Sequence, residues 1–144
     1  MIRLPLTAAI LALTGFTAIA PASANGFRTE QYGWANSSGG SQTGYRNRMR
    51  VQQEGRYNTQ VGDQRGRRNL AVVGQNGRGN FGATYQTGKR NSAGIGQFGS
   101  NHTTILTQDG NGNIAAGVQV GHGCDANVAQ QGQGNVTAIV QACD

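Results

Sequence analysis

Ten glutamines recur every eleven residues without a slip: Gln42, Gln53, Gln64, Gln75, Gln86, Gln97, Gln108, Gln119, Gln130 and Gln141. Nine of them are followed two positions later by glycine, at Gly44, Gly55, Gly66, Gly77, Gly88, Gly99, Gly110, Gly121 and Gly132. Asparagine stands five positions after the glutamine at Asn47, Asn58, Asn69, Asn80, Asn91, Asn113 and Asn135, with His102 and Cys124 breaking that series. So strict a phase restricts the chain to a repeat architecture, in which each unit buries its inner face only against its neighbours.

The unit is Gln-x-Gly-x-x-Asn-x₅. Between Asn and the next Gln, the second and fourth residues form pairs such as Ala71 and Val73, Ala93 and Ile95, or Ala126 and Val128. A period of two marks a strand with one face inward. Asn and Gln fall on that same face. The segment Gln-x-Gly-x-x-Asn is expected to reverse the chain, since Gly and Asn tolerate positive φ. Two strands and two turns then close a coil of 22 residues. Stacked coils place Gln over Gln and Asn over Asn, and side-chain amides can satisfy one another along such columns. The expected fold is all-β: a β-solenoid of stacked strand-turn-strand units with cross-β, amyloid-forming character.

These residues resemble the curlin repeat of bacterial curli fibre subunits. The pattern appears as Gln64-x-Gly66-x-x-Asn69-x-Ala71-x₃-Gln75, as Gln86-x-Gly88-x-x-Asn91-x-Ala93-x₃-Gln97, and as Gln108-x-Gly110-x-x-Asn113-x-Ala115-x₃-Gln119. The leading Ser of the family pattern is mostly absent. The resemblance covers residues 42–141. It implies a secreted, cell-surface amyloid fibre serving adhesion and biofilm matrix, built by a major subunit and a minor nucleator. It also implies export by the outer-membrane curli secretion machinery. The regular repeats through Gln141 favour the major subunit.

Three segments follow. Residues 1–24 read as a signal peptide, with Arg3, an apolar stretch and a small-x-small site at Pro21-Ala22-Ser23-Ala24. Residues 25–41 read as a flexible Gly/Ser/Asn-rich leader, because the inward offsets Ser38 and Gly40 bring nothing apolar to bury. Residues 42–144 form the repeat region. From Asn47 onward it offers nine strand segments, the first two the least apolar, in a stack roughly 22 Å tall. Nothing after the signal peptide suggests a membrane span.

Charge is uneven. The formal net charge is +6, and no Lys or Arg follows residue 90. Arg56, Arg67, Arg78 and Lys89 occupy the third position after Gln in four consecutive turns, a basic edge pointing outward. Such charges either blunt premature edge pairing or attract a polyanion such as extracellular DNA or lipopolysaccharide. A basic DNA-coating matrix protein is thus a rival reading. Its mark is a steep salt dependence of binding.

No residue set points to catalysis, a cofactor or a metal. Two His and two Cys make no closed zinc set, and the period of eleven with few Asp does not suit calcium-binding nonapeptides. Cys124 and Cys143 lie one coil apart on one edge. A disulfide closing the last coil is one reading; a reduced pair or an intermolecular link are the others. The expected partners are further copies joined head to tail and a companion curli subunit.

Overall fold

The computed structural model describes residues 24–144. The signal peptide read at residues 1–24 lies outside them except for Ala24. Eleven strands follow one another: β1 (Gly26–Trp34), β2 (Ser37–Tyr45), β3 (Arg48–Arg56), β4 (Thr59–Arg67), β5 (Leu70–Arg78), β6 (Phe81–Lys89), β7 (Ser92–Ser100), β8 (Thr103–Asn111), β9 (Ile114–His122), β10 (Asp125–Gln133) and β11 (Val136–Cys143). Odd strands build a six-stranded sheet in the order β1-β3-β5-β7-β9-β11, and even strands a five-stranded sheet, β2 to β10. All pairing is parallel and in repeat register, with Gln53 beside Gln75 and Gly55 beside Gly77. The chain is an all-β solenoid, as the eleven-residue phase requires.

The flexible leader expected at residues 25–41 is corrected. Those residues form β1 and the start of β2, and β1 pairs along its whole length with β3. A strand here needs little apolar mass, because the coil above supplies hydrogen-bond partners. Ser38 Oγ donates to Gln60 Oε1 at 3.1 Å, and Gln31 Nε2 to Gln53 Oε1 at 2.6 Å. The stack therefore holds eleven strands rather than nine and rises about 26 Å.

The reversal is also tighter than expected. Strands continue three residues past Gln, and only two residues link one strand to the next, such as Arg68 and Asn69 between β4 and β5. The fourth residue after Gln turns the chain in the left-handed region, and in six turns it is not glycine: Ala35, Arg46, Tyr57, Arg68, Arg90 and Asn101. The phased glycine takes positive φ as expected, and it has a further task. A Cβ at Gly66 would stand 1.9 Å from the carbonyl oxygen of Gly88 in the coil above. Close approach of main chain to main chain is what excludes a side chain there.

The interior is thin and mixed. Met49, Val51 and Ala71 pack together; Val73, Ala93, Ile95, Leu106, Ala115 and Val128 form the larger cluster, with Ile139 against it. The inward residues of β4 are Gln60 and Gly62, yet no void results. Met49 reaches across so far that its Cε would lie 2.2 Å from a Cβ at position 62.

Candidate functional site

The glutamines form two continuous columns. In the odd sheet, Gln31, Gln53, Gln75, Gln97, Gln119 and Gln141 each donate from Nε2 to Oε1 of the next, at 2.6 to 3.1 Å. In the even sheet Gln42, Gln64, Gln86, Gln108 and Gln130 do the same at 2.7 to 2.9 Å. From Gln42 onward each Nε2 also reaches a main-chain carbonyl of the facing sheet, as Gln86 does at Leu70, 2.9 Å. One amide thus bonds along its sheet and across to the other, which compensates burial of a polar group that would otherwise be costly.

Asparagine works differently from the expected amide-on-amide column. Its stem is one methylene shorter, so it binds main chain. Asn47 Oδ1 accepts the N–H of Asn69 one coil on, at 3.1 Å. Asn47 Nδ2 donates to Thr43 O at 3.0 Å and Gly66 O at 3.1 Å. Asn58, Asn69, Asn91 and Asn113 repeat this geometry. Asn80 keeps the bond to the glycine carbonyl, and Asn135 the bond to the carbonyl four residues back. The turn glycines Gly44, Gly55, Gly77, Gly88, Gly99, Gly110, Gly121 and Gly132 occupy the same slot as Gly66, all at positive φ.

The two exceptions preserve the function of the slot. His102 Nδ1 accepts the N–H of Cys124 at 3.1 Å, while Nε2 contacts Phe98 O at 3.2 Å. The neutral tautomer with its proton on Nε2 reproduces one acceptor and one donor of asparagine. Cys124 stands in the Asn slot and Cys143 in the Gly slot; they form a disulfide across 19 residues, Cα atoms 5.6 Å apart. Nineteen is also the spacing from Asn47 Nδ2 to Gly66 O. The covalent link takes the place of a hydrogen bond made in other coils. His122 is occupied separately, its Nδ1 2.7 Å from Ser100 Oγ.

The basic row divides. Arg56 stacks on Arg78 in the odd sheet, and Arg67 on Lys89 in the even sheet, at opposite edges. A denser column escaped sequence reading: Arg46, Arg68 and Arg90, all at the left-handed turn position of one edge, beside Arg67 and Lys89. A search at the 22-residue coil period, rather than eleven, would have exposed it. Among the described residues the ion pairs are Arg28–Glu30 and Arg65–Asp63, so none of these five cations meets a carboxylate.

Among the described residues, nothing covers either end of the stack. Each of β1, β2, β10 and β11 pairs along one edge only, with β3, β4, β8 and β9 respectively. Among the described residues, Oε1 of Gln31 and of Gln42 accepts no hydrogen bond at one end. At the other end Gln141 Nε2 bonds only Asp125 O, and Gln130 Nε2 turns to Thr137 Oγ1 in the absence of a further glutamine. One end presents two free acceptors; the other presents a free N–H on Gln141 and, on Gln130, an N–H held by Thr137 Oγ1 in place of the column.

The family model described as the curlin associated repeat matches residues 78–110. The same spacing extends on both sides of that stretch. A comparison with curated proteins finds no match.

Proposed function

We propose that this curlin-repeat protein is a secreted structural subunit that assembles end to end into extracellular curli-type fibres for adhesion and biofilm matrix. The carrying observation is the pair of open, complementary ends. A solitary solenoid protects its terminal coils, because unpaired strand edges recruit other strands. Here the free acceptors of Gln31 and Gln42 and the free N–H of Gln141 fit a further copy, and Gln130 fits it by giving up Thr137 Oγ1. We assign the chain to the major subunit rather than the nucleator, since the ladder runs through every strand. Its other proposed partners are a companion nucleator and the outer-membrane secretion machinery.

Incubation of the chain freed of residues 1–24 tests the reading. It is expected to form thioflavin-positive fibres with reflections near ~4.8 and ~10 Å, and preformed fibres are expected to shorten the lag. A chain that stays monomeric for days with seeds present sinks it.

A second reading is supported by the column of Arg46, Arg68 and Arg90. Three arginines holding left-handed backbone where glycine is easier point to use of the charge, as in binding DNA or another polyanion along one edge. Binding of duplex DNA to the fibres should then weaken steeply with salt.

A further inference from the structure

We infer that successive copies of this chain join with a half-turn about the stack axis, so that β1 of the incoming copy pairs with β10 and its β2 with β11. The inference rests on the fibre reading above and adds the geometry of the joint.

The chain climbs by laying strands alternately on the two sheets, and the described residues supply six to one sheet and five to the other. The level that follows β11 lies on the even sheet, directly over β10. An incoming β1 belongs to an odd sheet, so it fills that level only when its copy is turned by half a revolution. In that pose the repeat phase is unbroken. Gln130 comes opposite Gln31 of the incoming copy and Gln141 opposite its Gln42. The free N–H of Gln141 then meets the free Oε1 of Gln42, and Gln130 can exchange its bond to Thr137 Oγ1 for the Oε1 of Gln31, the column bond made at every lower level. Asn135 Oδ1, which accepts no bond among the described residues, comes opposite the N–H of Asn36 of the incoming copy, the pairing that Asn113 makes with Asn135 at 3.0 Å. The acidic end also fits. Asp144 comes beneath Tyr45 and Arg46 of the incoming copy, where an arginine with no carboxylate partner waits.

Without rotation, β1 of the incoming copy sits on β11, and its β2 stands two levels above β10. A gap one strand high remains over β10. The backbone groups along the free edge of β10 then stay without partners, and the even glutamine column stops at Gln130. Buried or half-buried polar groups without partners are penalised, so the turned joint is favoured.

Two measurements test this. Helical reconstruction of the fibres is expected to give one copy per rise of about 26 Å with a half-turn, modified by sheet twist. One copy per about 29 Å without the half-turn overturns the inference and leaves the fibre reading intact. Failure to form fibres at all overturns both. Thiol crosslinking gives an independent answer. Fibres of the Glu30→Cys, Ala129→Cys variant should be linked into covalent ladders by a short bis-maleimide. Fibres of Glu30→Cys, Val140→Cys should not, because those side chains lie on opposite sheets. The reverse pattern contradicts the half-turn.

Discussion

Thr84 is the one buried side chain whose polar atom lacks a partner among the described residues. It occupies the inward slot that holds Val73, Ile95 and Leu106 elsewhere. Thr84→Val removes an unsatisfied hydroxyl at nearly constant shape and should stabilise the folded chain by about 1 kcal/mol, read from the denaturant midpoint. The cysteines permit a sharper test. Cys124→Asn with Cys143→Gly restores the residues used in other coils. It should lose no more than about 3 kcal/mol, the chain-entropy value of so short a loop, and should become insensitive to reductant. Alanine at both sites removes the disulfide without restoring the hydrogen bond and should lose more, by about 1 kcal/mol. The left-handed turn residue shows where sequence reading stops. The residues there include Ala35, Arg46, Tyr57, Gly79 and Asn101, so no residue type betrays the conformation. The coil imposes it, at a cost of about 1 kcal/mol for a non-glycine side chain. Arg68→Gly should therefore raise stability by that amount while weakening polyanion binding. If binding is unchanged, the column is a solubility device.

At the scale of the strand, the inward frame was fully legible because a period of two leaves only one face for Gln, Asn and the residues between them. β1 and β2 were not legible, since Ser38, Gly40 and Gln42 look like loop composition when stability is equated with apolar burial. Each strand here also pairs by main chain with one or two neighbouring coils and bonds amide to amide along the column, and composition reports neither. The positive φ of the phased glycine was legible from its spacing, but the carbonyl of the coil above, which also excludes a Cβ, was not. Column integrity is the testable consequence. Gln97→Ala removes the bonds to Gln75, Gln119, Phe81 O and Thr104 Oγ1 and leaves a cavity, so it should cost about 3 kcal/mol and slow assembly. Gln52, Gln131 and Gln133 point to solvent, and alanine there should change stability by less than about 0.5 kcal/mol. Equal effects in denaturation and elongation assays would detach the eleven-residue phase from the structural column.

For the whole molecule, polarity is set twice. The amide columns run in one sense, from Nε2 below to Oε1 above, so a head-to-head joint sets acceptor against acceptor at Gln31 and Gln42. Charge runs in the same sense: Arg46, Arg48, Arg50 and Arg56 lie toward the first coils, and Asp125 and Asp144 in the last. Exposed charge pairs are each worth only about 0.2 to 1 kcal/mol, so they adjust the rate and choice of joint rather than hold it. Head-to-tail growth should accordingly slow as salt is added, because screening removes the attraction between the ends. The opposing view makes the arginines gatekeepers that delay premature pairing, in which case neutralising them or adding salt accelerates growth. Elongation on preformed seeds separates the two. Arg46→Glu, Arg48→Glu and Arg50→Glu together should slow growth on wild-type seeds. Adding Asp125→Arg and Asp144→Arg to the same chain should restore growth on seeds of that chain, where each end again meets its opposite. Gatekeeping gives faster growth in the first variant and no restoration specific to matched seeds in the second. The half-turn joint sharpens the expectation further. It places Asp144 against Arg46 of the next copy, so the pair Arg46→Glu and Asp144→Arg should recover a larger share of the rate than any other single exchange among these residues.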